Sequence, residues 1–224
     1  MESLLDRYVQ SLPVDNQHQQ LPVTQGSTVL LTGSTGSLGS YLLDELSNDP
    51  NVQHIICLDR TSSAAEKHRD TGLKRGLTSL DPERVEFLKA NLADPQLGLE
   101  NEVYERLKNT VTYMILCQWP VNFNWTLSSF EPSIAGVRNL AFMAAKSAPS
   151  AFVLFVSSVA SVGGWQGLEE TPETPIHDLT VAANMGYGQS KLIAEDLMDK
   201  ASEISGVRSA VCRRPRRARI EHVE

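Results

Sequence analysis

Three side chains in the second half of the chain have the types and spacing for acid–base chemistry. Tyr187 and Lys191 stand four residues apart in Met185-Gly186-Tyr187-Gly188-Gln189-Ser190-Lys191, which opens a helical pattern reaching about residue 205. Four residues place both on one helical face. A lysine ammonium beside a phenol favours the phenolate and makes a tyrosine a usable acid or base near neutral pH. Taken alone, that spacing arises by chance in many surface helices. Ser158 gives it a setting: the apolar run 151–156 reads as a strand and passes into Ser157, Ser158 and Ser161, so hydroxyls sit where a sheet's carboxyl edge should open.

Those groups need a partner to act on, and the start of the chain offers one. A β-branched, apolar run, Thr28 to Thr32, meets Gly33, Gly36 and Gly39 and then an amphipathic helix pattern with Leu38, Leu42 and Leu46 on one face. It reads as strand, tight turn, helix. Gly33 can take the positive φ of a sharp turn, Gly36 lets the backbone approach a pyrophosphate, and Gly39 lets the helix lie close on its strand. Ser34, Thr35, Ser37 and Leu38 fill the turn between them. Spacing alone would suit a turn in any α/β protein; the flanking strand and helix make it a dinucleotide signature. The G-x-x-G-x-x-G form resembles that of extended short-chain dehydrogenases/reductases.

Further elements follow in alternation. Residues 52–58 form a second strand ending at Asp59-Arg60. An acidic side chain there accepts from the ribose 2′-hydroxyl of NAD, whereas an arginine pairs with the 2′-phosphate of NADP. Both are present, and Lys67 and Arg69 nearby tilt the choice to NADP. Residues 62–77 are helical, with Gly72 and Gly76 expected to break the helix or fray its end. A third strand over 84–90 leads to Asn91 and Leu92, a helix over 100–107 follows, and 111–117 is a continuously apolar fourth strand, as expected when helices cover both faces. The aromatic and amide stretch Gln118 to Trp125 suits a pocket wall. A helix over 132–146 precedes the fifth strand. The fold class is α/β, a Rossmann-like doubly wound parallel sheet with helices on both faces.

Bulk properties bound the function. The 224 residues, 41% hydrophobic and 21% charged, can bury one sizeable core. No apolar run approaches the roughly 20 residues of a membrane helix, and residues 1–20 lack the apolar centre of a signal peptide; a cytoplasmic chain with no membrane partner is expected. Cys57, Cys117 and Cys212 are too scattered for a zinc site, so no metal is expected. A net charge of −7 argues against nucleic acid. Five arginines, Arg213, Arg214, Arg216, Arg217 and Arg219, nevertheless crowd the last dozen residues. The expected division is therefore 1–26, a short helix and polar linker; 27–212, the NAD(P)-binding domain; and 213–224, a basic, disordered tail.

The motifs together resemble the thioester reductase domains of carboxylic acid and aminoadipate reductases. These are Thr32-Gly33-x-x-Gly36-x-x-Gly39, Val121-Asn122-Phe123-Asn124, Gly136-Val137-Arg138-Asn139-Leu140, Phe155-Val156-Ser157-Ser158 and Gly186-Tyr187-Gly188-x-Ser190-Lys191, spread over roughly residues 4–211. The resemblance implies NADPH as reductant and, as partner, a carrier protein presenting an acyl thioester on its phosphopantetheine arm. It assigns Gly33 to Gly39 to the pyrophosphate, Arg60 to the 2′-phosphate, and Asn91 with Leu92 to the adenine edge. Ser158, Tyr187 and Lys191 become the catalytic set, with Lys191 also on the nicotinamide ribose. Three features depart from the family pattern: Asn91 stands for a usual aspartate, Leu116-Cys117-Gln118 for a His-Asn-Ala-like run, and the Arg-rich end for a substrate-binding region. A C-terminal truncation or shifted frame is the expectation there, with turnover impaired more than dinucleotide binding. Two other readings stay open, a further extended reductase or sugar-nucleotide epimerase, and a non-catalytic NAD(P)-binding fragment.

Overall fold

The alternation of apolar strand patterns with amphipathic helices builds a single parallel sheet. The computed structural model describes residues 1–14, 26–167 and 169–215. In chain order the elements are α1 (Glu2–Val9), β1 (Ser27–Thr32), α2 (Ser37–Asn48), β2 (Val52–Asp59), α3 (Ala64–Arg75), β3 (Val85–Lys89), α4 (Asn101–Thr110), β4 (Tyr113–Leu116), α5 (Glu131–Ala145), β5 (Phe152–Ser158), α6 (Gly186–Ser205) and β6 (Ser209–Arg214). The strand order is β3-β2-β1-β4-β5-β6, with every pairing parallel. Order reverses between β1 and β4, and the crevice beyond the carboxyl ends at such a point is where doubly wound sheets bind ligands.

Side-chain alternation along β1 shows why helices are needed on both sides. Leu30 joins Ile56, Leu58, Met114, Val153 and Phe155 in one layer, packed by α4, α5 and α6. Val29 and Leu31 join Ile55, Cys57 and Val85 in the other, against Leu43 of α2.

Three expectations change. Helix α3 runs unbroken through Gly72, and Gly76 ends it in the left-handed region at φ +65, the usual place for a terminal glycine. Strand β6 continues through Arg213 and Arg214, two residues past the boundary expected at 212, and pairs Ser157 with Arg213 and Ser158 with Arg214. Those arginines belong to the sheet; the rest of the expected tail, 216–224, lies outside the described residues. The first fourteen residues are part of the body as well: Leu5 and Leu12 enter the main core, and Arg138 of α5 donates to Ser11 Oγ and to its carbonyl, each at 2.8 Å. The remaining expected linker, 15–25, is outside the described residues.

Candidate active site

The phosphate turn is built by close backbone packing. Gly33 adopts φ +74, and Gly36 N donates to Gly33 O at 3.0 Å. A Cβ on Gly39 would lie 2.0 Å from that carbonyl oxygen, and one on Gly33 would lie 3.0 Å from Gln118 Cα. Side chains at either position would force α2 off β1 or β1 off the end of β4. Thr32 Oγ1 draws the same two strands together, accepting from Cys117 N and Gln118 N at 3.1 Å. Helix α2 starts at Gly36 with no side-chain cap and no acidic residue in its first turn. A helix start without a side-chain cap or an acidic first turn fits an anion such as a pyrophosphate at its N–H groups.

Asp59 and Arg60 take opposite directions. Asp59 is 4% exposed and turns into the glycine loop, where Ser34 Oγ donates to Oδ2 at 2.6 Å and Thr35 Oγ1 approaches Oδ1 at 3.5 Å. Burial pushes its pKa up while the Ser34 hydroxyl draws it back down. Arg60 is exposed, as are Lys67 and Arg69. A cation missed by the sequence reading, Arg75 in the last turn of α3, reaches Ser40 Oγ at 2.5 Å and Gly36 O at 3.4 Å. No fixed spacing from the glycines marks it; a basic residue in a helix's last turn is its only signal.

The adenine-edge candidates separate too. Asn91 is exposed, its Oδ1 accepting from Ala93 N at 3.4 Å. Leu92 is buried against α5, where a Cβ on Gly136 would come within 2.9 Å of Leu92 Cβ, and its carbonyl accepts from Asn139 Nδ2 at 2.9 Å. Leu92 thus contributes its side chain to the core, leaving its backbone at the strand end.

Ser158 ends β5, and Tyr187 and Lys191 stand in the first two turns of α6, where Lys191 Nζ reaches Val156 O of β5. Ser158 caps the short 3-10 turn Val159–Val162, its Oγ accepting from Ala160 N at 3.2 Å. A Cβ on Gly188 would lie 2.4 Å from Ala160 O, and one on Gly186 2.4 Å from Trp125 O. The two glycines flanking Tyr187 therefore let α6 wedge between the serine loop and the aromatic stretch. Tyr187 sits edge-on to Phe123 and Phe130, with ring centroids 5.2 and 6.1 Å away.

Lys191 is 2% exposed. Its Nζ donates to Val156 O at 2.6 Å and lies 4.1 Å from the centroid of Trp119 and 4.6 Å from that of Phe155. Burial lowers its pKa to about 7, with Cys117 and Glu195 pulling the other way. Trp119 is held in turn by Ser190, to whose Oγ its Nε1 donates at 3.3 Å. A second network backs this one. Glu195, one helical turn after Lys191, accepts from Ser157 Oγ and, at 2.9 Å, from Arg213 Nε; Arg213 also donates to Pro172 O at 3.1 Å and Thr174 O at 3.3 Å. Ser157 thereby ties the end of β5 to α6 and β6.

Lys191 is thus a buried lysine between two aromatic rings, on the same helix as Tyr187 and bonded to the strand that ends in Ser158. A family model described as Male sterility protein matches residues 31–216. The chain belongs to that family. Among the relatives of this Male sterility protein family member is a carboxylic acid reductase of Neurospora crassa, 42% identical over 95% of this chain and 20% of that protein. Adenylate-forming reductase Nps10 of Heterobasidion annosum is 32% identical over the same shares. The chain thus spans about one fifth of these curated relatives. Among solved structures, the terminal R domain of the myxalamid PKS-NRPS pathway superimposes with a TM-score of 0.81 at 23% identity, covering 95% of this chain and 55% of that one. The R domain of a non-ribosomal peptide synthetase from Mycobacterium tuberculosis does so with 0.68 at 29% identity, covering 95% and 51%. The Rossmann-like fold and the NAD(P)-binding family of the chain stand on these likenesses. Among the described residues no helix is long and apolar enough to cross a membrane.

Proposed function

We propose that this chain carries the dinucleotide-binding half of a thioester reductase, which uses NADPH to convert an acyl thioester on a carrier protein's phosphopantetheine arm into an aldehyde. The observation carrying the reading is the buried Lys191, bonded to Val156 O and set against Trp119 and Phe155, four residues after Tyr187 on α6. The names of the relatives, a carboxylic acid reductase and terminal R domains, support the substrate class.

The chemistry that NADPH would supply here, when bound, is a hydride for the thioester carbonyl carbon. Tyr187 gives its phenolic proton to the carbonyl oxygen as the charge develops there, and Ser158 donates a hydrogen bond to the same oxygen. Lys191 would hold the nicotinamide ribose and, when charged, would favour the phenolate that Tyr187 becomes. The resulting hemithioacetal breaks its C–S bond, the hydroxyl proton leaving as the carrier thiol and the aldehyde separate.

NADPH rather than NADH is favoured by the orientation at the end of β2. Both Asp59 oxygens are engaged by the turn's own hydroxyls, so the acidic reader of a 2′-hydroxyl is withdrawn, and exposed Arg60 is left to meet a 2′-phosphate. Arg60→Ala should weaken NADPH binding roughly tenfold or more and leave NADH binding nearly unchanged, measured by nicotinamide fluorescence titration. An equal loss for both dinucleotides would remove Arg60 from this role.

The catalytic assignment is tested by following NADPH oxidation on an acyl-pantetheine thioester. Tyr187→Phe should lower turnover by about 10²-fold or more while NADPH affinity stays within a few-fold. Undiminished turnover would end the proposal. NADPH binding without any turnover by the unaltered chain would identify a dinucleotide-binding module instead.

A further inference from the structure

A histidine in the connection between β5 and α6 is gripped by two carboxylates of that helix. His177 Nδ1 lies 2.6 Å from Asp196 Oδ1, and its Nε2 lies 3.4 Å from Asp199 Oδ2. One ligand-capable atom from each of the three side chains can be chosen so that all lie within 4.8 Å of one another. The expectation of no metal rested on scattered cysteines. These three groups meet only because the segment before α6 folds back along the helix, where Arg213 helps to fix it through Pro172 O and Thr174 O.

The two contacts differ in kind. So close to a carboxylate oxygen, Nδ1 is the nitrogen that carries hydrogen, which leaves the lone pair of a neutral ring on Nε2. That lone pair faces Asp199 Oδ2 across a gap long for a hydrogen bond. Two ligands bound to a tetrahedral zinc ion by bonds of roughly 2.0–2.2 Å stand about 3.3–3.5 Å apart, so the gap is one that such an ion spans. A zinc-bound imidazole commonly gives its other N–H to a carboxylate, the part Asp196 plays here. Asp196 is a separate pointer to a cation. It is 5% exposed, and His177 is its one hydrogen-bonding partner among the described residues. The nearby Lys200 ammonium pairs instead with Glu203 at 2.8 Å. A buried carboxylate without a permanently charged partner leaves negative charge to be offset. Asp196 and Asp199 also line a cavity of about 550 Å³ with Glu173, which gives an ion and its waters a way in.

We infer that His177 Nε2 and Asp199 Oδ2 bind a zinc ion, with Asp196 orienting the imidazole and water filling the remaining positions. An imidazole ligand favours zinc over hard ions such as magnesium. The ion staples the connection around His177 to the helix that carries Tyr187 and Lys191. The inference is independent of the reductase reading, because its test needs neither NADPH nor turnover.

The probes are zinc sulfate and magnesium sulfate, titrated calorimetrically into the full chain while its unfolding temperature is read in parallel. Zinc should bind saturably, one ion per chain, and about tenfold or more tighter than magnesium. His177→Ala and Asp199→Asn should each abolish that binding, and Asp196→Asn should weaken it by about 10–100-fold. Cys212→Ser, which removes an exposed thiol lining the same cavity, should leave it unchanged. Zinc well above its Kd should raise the unfolding temperature of the parent by about a few degrees and leave that of His177→Ala where it was. His177 is 52% exposed in its side chain and Asp199 25%, so neither substitution threatens the fold, and circular dichroism checks this. No saturable zinc binding, equal affinity for magnesium, undiminished zinc affinity in any of the three variants, or loss of binding in Cys212→Ser would each overturn the assignment.

Discussion

Lys191 is buried with a carbonyl and two aromatic rings for company, and no carboxylate within hydrogen-bond reach of its nitrogen among the contacts described. Cation–π contact and one carbonyl only partly replace lost hydration, which is why its pKa falls to about 7 from an ordinary 10.5. The sign of the consequence is fixed. Between those two values the unfolded chain holds a proton that the folded chain has released, so stability rises with pH across that window. Lys191→Met should be more stable than the parent at pH 7, by an amount on the order of a few kcal/mol at most, and should lose the rise, whose slope is at most about 1.4 kcal/mol per pH unit. Urea unfolding at several pH values from neutral upward measures both. A less stable variant, or an unchanged slope, would mean the lysine is better solvated than its surroundings imply. The same substitution removes the lysine proposed to hold the ribose, so on that proposal stability and turnover should move in opposite directions.

At the scale of elements, the start of α6 decides how Tyr187 and Lys191 lie against β5 and the aromatic stretch. Gly186 and Gly188 are there because backbone oxygens of Trp125 and Ala160 occupy the space a Cβ would need. Gly188→Ala should cost about 1–3 kcal/mol or more by overpacking. Gly76→Ala, with nothing within 4 Å of the added carbon, should cost only about 1 kcal/mol for its φ of +65; urea midpoints at fixed m-value compare the two. The glycine turn was legible beforehand because its three glycines work within a few residues of one another, on a strand-to-helix junction that chain order displays. Gly186 and Gly188 were visible only as neighbours of Tyr187, since the atoms that demand them come from segments roughly 25 to 60 residues away. Asp59 and Arg60 were read as rivals for one ribose. Which of two adjacent strand-end residues turns inward depends on the parity of β2 against the turn, and only packing fixes that parity.

For the whole molecule, the order of strands and helices could be read because each apolar strand pattern is followed by a helical one, and parallel crossovers leave few other arrangements. Arg213 could not be read this way. Its charge resembled that of the arginines beyond it, whereas its partners, Glu195 and the carbonyls of Pro172 and Thr174, are met only after α6 has folded back beside β6. Strand β6 has a second consequence. Among the described residues it pairs with β5 alone, and Ala210, Val211 and Cys212 are exposed, Val211 at 39%. A flank of unspent N–H and C=O groups with an oily fringe is a nucleus for sheet-to-sheet aggregation. Val211→Lys, a gatekeeper charge outside the reacting groups, should raise the concentration at which the purified chain stays clear, as light scattering would record, while leaving its affinity for NADPH where it was.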